Sequence, residues 1–264
     1  MLLRLFIGIV CWSALALGPI WADEPSAAVA TKLTTKWLTL VAATKSPRPG
    51  VASLTPKHPL QNATDLKFTG PSVGHRFLLG RFANDGEWAI SEGAVQLSKG
   101  TNSALRIARA EELELNGDLE WNELGGWFFL LNWNAGSGTA LYNYATKQSG
   151  TGCFLCDFKD GQAVPDTNRR LKDYEWKRRH EFTLTIVDGE LTLVVGPLTV
   201  CKKEKIVAQE GDLLLGVYDT AYGPRKPKLY SLRIRAPEKK KGAKPDAKQP
   251  AEALKPLADP PAKP

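Results

Sequence analysis

The chain has 264 residues, 43 % hydrophobic and 24 % charged, with a formal net charge of +7. Arg4 and a tail of seven lysines against four acids over residues 237–264 hold most of that excess, leaving about three net positive charges on residues 23–236. So weak and interleaved a surplus is no electrostatic footprint for nucleic acid, and none is expected as a partner.

Residues 1–22 have the layout of a cleavable export signal: Arg4, an apolar run from Leu5 to Leu17, the helix breaker Gly18-Pro19, then Ile20-Trp21-Ala22 ahead of Asp23. The competing reading is an uncleaved anchor, since the run is near the lower limit for a membrane span. The break just ahead of a small residue favours cleavage, which predicts a secreted or periplasmic protein. Residues 23–67 are rich in Ala, Thr, Ser and Pro and read as a linker, with "KWLTLVAA" at 36–43 as one short docking segment.

From Phe68 to Ala236 the texture becomes strand-like: "HRFLLGRF", "EWAISEGAVQLS", "ALRIA", "LELNGDLEW", "GWFFLLNW", "GTALYNYA", "GCFLCDF", "EFTLTIV", "ELTLVV", "LLLGVYD" and "LYSLRIR" follow one another between Gly, Asn and Asp. No apolar 3.6-residue period is sustained. The expectation is all-β: a two-sheet antiparallel β-sandwich closed over one core.

In "ELELNGDLEW" Leu113, Leu115, Leu119 and Trp121 share one face, and Glu112, Glu114, Asn116, Asp118 and Glu120 share the other. The leucine face is the core. The acid face meets water or a ligand cleft. Neighbours on one strand face lie about 6.6 Å apart, near the roughly 5–5.5 Å separation of a retaining glycosidase pair, so Glu120 and Asp118 are the candidate catalytic acid and base.

On "GWFFLLNW" Trp127, Phe129, Leu131 and Trp133 alternate with Phe128, Leu130 and Asn132, the apolar pattern of a strand covered on both sides. Trp133, at the strand end beside Asn132, and Tyr142 and Tyr144 on the next strand are candidate carbohydrate-binding residues, the rings for stacking and Asn132 for hydrogen bonds. Against this stands the reading that the tyrosines close the core.

With Cys11 lost with the signal, Cys153, Cys156 and Cys201 remain. Cys153 and Cys156 point to opposite faces of a strand and are poorly placed to bond each other, while a bridge from Cys201 to either stays open. His58, His75 and His180 show no metal-ligand spacing, and no cofactor is expected. "EFTLTIVDGELTLVVG" at 181–196 is a hairpin turning at Asp188-Gly189. Residues 237–264, nearly all Lys, Ala, Pro and acids, have nothing to bury. They form a solvated tail or a cationic tether to an anionic envelope surface.

"EWAISEGAVQL" at 87–97, the 180–196 hairpin and "GDLLLGVYDTAYGPRKPKLYSLRIR" at 211–235 together resemble a concanavalin A-like jelly roll. The chain is most similar, within that superfamily, to laminin-G-like and 3-keto-disaccharide hydrolase domains. The resemblance implies a secreted sandwich facing carbohydrate, with loop calcium an option whose ligands the sequence does not single out. Where the hydrolase family carries an N-S-G segment this chain reads "GGWFFLLNW", so no residue's role is carried across. Three readings follow: a carbohydrate-recognising domain, a glycoside hydrolase of the 3-keto-disaccharide type, and a non-catalytic envelope or protein-interaction module.

Overall fold

Alternation of period two sets the architecture. Phe182, Leu184 and Ile186 are buried while the intervening Thr183 and Thr185 are half-buried, and Leu191, Leu193 and Val195 repeat the pattern on the return strand. Asp188 and Gly189 join them with φ of 54° and 68°, the left-handed pair that a two-residue hairpin turn requires.

The computed structural model describes residues 33, 36–41, 43–45, 52–54, 60–70, 72–73, 76–77, 82, 84–91, 93–121, 126–146, 150–173, 178–218 and 227–237. Residues 1–22, expected to be an export signal, and the tail beyond residue 237 lie outside them. No helix among the described residues is long and apolar enough to cross a membrane.

In chain order the strands begin with β1 (Leu38–Val41), β2 (Ala43–Lys45), β3 (Ala52–Leu54), β4 (Gln61–Asn62), β5 (Ser72–Val73), β6 (Arg76–Phe77) and β7 (Glu87–Ser91). There follow β8 (Ala94–Lys99), β9 (Ser103–Ala110), β10 (Leu113–Trp121), β11 (Gly126–Asn134), β12 (Ser137–Thr146) and β13 (Gly150–Lys159). The last are β14 (Gln162–Ala163), β15 (Arg169–Asp173), β16 (Arg178–Val187), β17 (Glu190–Val195), β18 (Leu198–Lys205), β19 (Gly211–Tyr218) and β20 (Lys228–Arg235).

They form two large antiparallel sheets, the β-sandwich expected from the sequence. The first runs β18-β17-β16-β10-β20-β8-β7, with β1 also paired to β20; the second runs β14-β13-β12-β11-β19-β9-β4, with β15 paired to β13. Between them lies the main core. Leu113, Leu115, Leu119, Phe182, Leu184 and Ile186 of the first sheet meet Leu105, Trp127, Phe129, Leu131, Leu141, Leu155 and Leu215 of the second.

A second cluster covers the opposite face of the second sheet. Phe128, Leu130, Trp133, Tyr142, Cys156, Phe158, Leu214 and Tyr218 are roofed by Ala63, Leu66, Phe68 and Phe82. The roof is aromatic stacking in detail: Phe68 lies parallel to Phe82 at 4.9 Å and edge-on to Phe128, Trp133 and Phe158 at 5.6–5.9 Å. Residues 60–66, expected to be linker, are therefore part of the fold: Leu60, Ala63 and Leu66 are buried, because the apolar outer face of β11 and β12 needs a cover. Within the docking segment expected at 36–43, Leu38–Val41 pairs as β1 with β20, burying Leu40 and Val41 in the main core.

Close packing here leaves Gly216 without room for a side chain. A Cβ on Gly216 would stand 2.0 Å from Phe128 Cζ, so the Phe128 ring fills the space above β19. Gly216→Ala is expected to lower the unfolding free energy by about 1–3 kcal/mol, read from urea unfolding followed by tryptophan fluorescence.

Candidate functional site

Of the aromatic candidates, Trp133 and Tyr142 are buried core residues. Asn132 adopts φ of 52°, and the ladder slips beside it on both neighbours, between Leu130 and Trp133 on β19 and between Leu131 and Asn134 on β12. This bulge shifts the alternation by one residue. Trp133, expected on the face of Trp127, Phe129 and Leu131, is carried to the other face, into the second cluster, where it is 6 % exposed. Asn132 is buried too, its Nδ2 donating to the Val207 carbonyl at 2.9 Å and its own carbonyl accepting from Gln209 Nε2 at 2.8 Å. It ties the 206–211 turn to the sheet rather than facing a ligand.

Tyr142 is fully buried, stacked on Phe154 with ring centroids 5.6 Å apart, and its hydroxyl donates to Asn168 Oδ1 at 2.8 Å. Burial pushes that hydroxyl far above the ordinary tyrosine range. So buried a ring is closed to stacking by a sugar. The Tyr144 side chain lies outside the described residues, as does that of Trp121.

Removing the Tyr142 ring should cost about 3–5 kcal/mol, the range for truncating a buried aromatic, whereas Tyr142→Phe should cost only about 1 kcal/mol for the lost hydrogen bond. Thermal and urea unfolding of the two variants measures both. Glycan binding of Tyr142→Phe should be unchanged.

The acid face of β10 is a different surface. Leu113, Leu115 and Leu119 point into the main core, which turns Glu114, Asn116, Asp118 and Glu120 outward together. Strands β16 and β20 flank β10, pairing Asp118 with Glu181 and Ser231, and Glu120 with Arg179 and Lys228. From these neighbours come the groups that meet the acids.

Arg179 forks onto Asp118, Nε reaching Oδ1 at 2.8 Å and Oδ2 at 2.9 Å, and Nη2 reaching Oδ2 at 2.5 Å. The same guanidinium lies over the Tyr230 ring, 3.9 Å from its centroid. Tyr230 in turn donates its hydroxyl to Glu120 Oε2 at 2.6 Å. Next along the strand, Arg233 Nε donates to Asn116 Oδ1 at 3.0 Å, and Asn116 Nδ2 donates to Thr183 Oγ1 at 3.1 Å. At the far end Arg235 pairs with Glu114, whose side chain is only 6 % exposed, while Arg233 and Arg235 both lie over the Trp37 ring. The result is a ladder of planar polar groups, closed at the Glu114 end and open at the Asp118 end, where the Arg179 side chain is 51 % exposed.

Electrostatics follow from this arrangement. Hydrogen bonding to Asp118 holds the Arg179 guanidinium charged even more firmly than usual. Burial, then the hydrogen bond to the Glu120 carboxylate, pushes the Tyr230 hydroxyl up to about 12. Since the folded value lies above the ordinary one of 10.0, neutral Tyr230 contributes stability that is present below that ordinary value and disappears as pH climbs toward the folded one. Tyr230 is thus a fixed hydrogen-bond donor at any physiological pH. Glu120→Gln should bring its titration back toward the ordinary value, measured as ultraviolet phenolate absorbance against Tyr230→Phe.

Arg179, Tyr230, Arg233 and Arg235 were not among the residues singled out from the sequence. "LYSLRIR" places Arg233 and Arg235 two apart, but a bulge between the Asp118 and Leu119 pairings on β20 sets Tyr230 opposite the acids, and no period-two reading anticipates it. Among the described residues no three His, Cys, Asp or Glu side chains gather as a metal site. Cys153 faces the main core and Cys156 the second cluster, on opposite sides of β13. Both thiols, with Cys201, are free and buried.

No family model and no curated protein matches the chain. Among solved structures it is similar to a carbohydrate-binding module from Bacillus subtilis, at 12 % identity and a TM-score of 0.42 over 56 % of this chain and 91 % of that one. A β-glucanase from Bacillus licheniformis matches at 10 % identity and 0.44 over 76 % and 98 %, and a tetrameric galectin from the sponge Cinachyrella at 12 % and 0.37 over 50 % and 96 %. At these identities and TM-scores the likeness is one of overall fold alone.

Proposed function

We propose that the protein is an exported carbohydrate-binding β-sandwich whose glycan docks on the outer face of the first sheet, across Asn116, Asp118, Glu120, Arg179, Tyr230 and Arg233. The supporting observation is the open ladder itself. Its carboxylates, amide, phenol and guanidiniums are held by one another, so a ligand pays little side-chain ordering cost. Each retains donor or acceptor capacity for the vicinal hydroxyls of a sugar. Export rests on the leader at residues 1–22, with a secreted or periplasmic location following from it and the cationic tail lying on an anionic envelope surface.

Engagement of both candidate catalytic acids favours binding over hydrolysis. Asp118 has both oxygens on Arg179, and Glu120 accepts from Tyr230. A 3-keto-disaccharide hydrolase would need one of them to deliver a proton and the other to attack or to activate water.

On a glycan array, the intact protein should retain at least one glycan class, and Asp118→Asn combined with Tyr230→Phe should lose it by roughly tenfold, the effect of about 1.4 kcal/mol. Binding unchanged in that double variant places the site elsewhere, and an array on which the wild-type protein retains nothing ends the carbohydrate reading. Incubation with 3-keto and ordinary disaccharides should give no product; turnover abolished by Glu120→Gln would make the protein a hydrolase.

A further inference from the structure

We infer that the sandwich carries a second saccharide subsite on its side, in an open pocket lined by Asp157, Arg169, Lys203, Glu204, Lys205 and the apolar pair Ile206–Val207, which selects sugars bearing an anionic substituent. The inference rests on the carbohydrate reading above and deepens it with a ligand class. The pocket encloses about 440 Å³, within the range of small-molecule sites and suited to one or two sugar rings.

It lies where the edge of one sheet meets the edge of the other, β18 of the first facing β15 of the second. Its interior is a fixed polar network. Thr139 Oγ1 donates to Asp157 Oδ1 at 2.6 Å and accepts from the Val207 amide at 3.0 Å. Thr167 Oγ1 accepts from the Asp157 amide at 2.8 Å and donates to the Val164 carbonyl at 2.7 Å. Arg169 bridges the two sheets, its Nε on Glu204 at 3.5 Å, its Nη1 on the Thr167 carbonyl at 3.5 Å and its Nη2 on the Lys205 carbonyl.

The rim is built differently. Leu191 pairs with Glu204 and Leu193 with Cys201, so Lys202 and Lys203 together oppose Thr192 in a bulge. Lys203 takes φ of 58° there, a left-handed conformation that a lysine seldom adopts, and its amide is pinned to Thr192 Oγ1 at 3.2 Å. Residues kept in such conformations concentrate at binding sites, where a bulge re-aims the chain. Lys203 and Lys205 are exposed, and neither ammonium forms a salt bridge among the described residues.

Two ammonium groups at the mouth without a salt bridge among the described residues, carboxylates at Asp157 and Glu204, and the half-buried Val207 match one kind of ligand. Its anionic substituent sits between the lysines, its hydroxyls meet the carboxylates and its ring edge meets Val207. A polyphosphate would meet Asp157 and Glu204 as like charges, and a neutral sugar would leave the lysines unused. The shared chemistry is a sugar with one negative group per residue, whether carboxylate or sulfate.

Isothermal titration of the intact protein with a galacturonate trisaccharide, a sulfated galactose trisaccharide and cellotriose tests this at low and high salt. At least one anionic trisaccharide should bind tenfold or more tightly than cellotriose and weaken with salt, the tighter of the two identifying carboxylate or sulfate as the group recognised. Lys203→Asn with Lys205→Gln, in which asparagine tolerates the left-handed backbone, should abolish that preference while unfolding temperature and near-ultraviolet dichroism stay as in the wild type. Equal affinity for all three trisaccharides, or full anionic affinity retained by the double variant, overturns the subsite. The Asp118→Asn/Tyr230→Phe protein separates the two sites: it should keep the anionic preference. Array binding that depends on Asp118 and Tyr230, with no anionic preference anywhere, removes the side subsite alone; no saccharide bound by any form removes both.

Discussion

Burial of the second sheet on both faces is the constraint on which the rest depends. β11 is apolar in both parities, and a strand of that kind must be covered twice. The first sheet covers one side. The segment carrying Ala63, Leu66, Phe68 and Phe82 covers the other, so the aromatic face that might have stacked on a sugar is interior. Truncated chains lacking this segment would expose Phe128, Leu130, Trp133 and Tyr142 as one contiguous apolar patch, a surface that soluble proteins avoid.

With that sheet closed, ligand chemistry is left to the outer face of the first sheet and to the sandwich edges. The outer face carries many charges that largely neutralise one another. Arg179, Arg233 and Arg235 each find a partner on β10, so the face is polar without being a strong electrostatic attractor. Such a surface suits hydroxyl-rich neutral ligands. Exposed pairs of this kind add little stability by themselves, whereas the nearly buried Arg235–Glu114 pair, covered by Trp37, is one whose halves depend on each other. The Trp37 contact also links the N-terminal strand β1 to the end of the ladder, so docking of that strand and closure of the Glu114 end are one packing event.

The edge of the sandwich works by another principle. β18 ends its sheet, and an unpaired strand invites association with other chains. Here the bulge at Lys202–Lys203, three lysines over residues 202–205 and the Arg169 bridge to the opposing sheet disrupt the edge. The devices that protect it also frame a charged pocket, so the same residues guard the edge and line the pocket.

Legible from neighbouring residues were the all-β architecture, the hairpin at Asp188–Gly189, the inward leucines and outward acids of β10, the double coverage of β11 and the opposed directions of Cys153 and Cys156. All of these depend only on period-two alternation and local turn chemistry, which are written in neighbouring residues. Tertiary structure decided the rest. The bulge at Asn132 moved Trp133 to the other face, Ala63, Leu66, Phe68 and Phe82 roofed the cluster that holds Tyr142, and β16 and β20 brought Arg179 and Tyr230 to Asp118 and Glu120. Each is set by which distant strands become neighbours, and a single inserted residue in a ladder reverses every orientation beyond it.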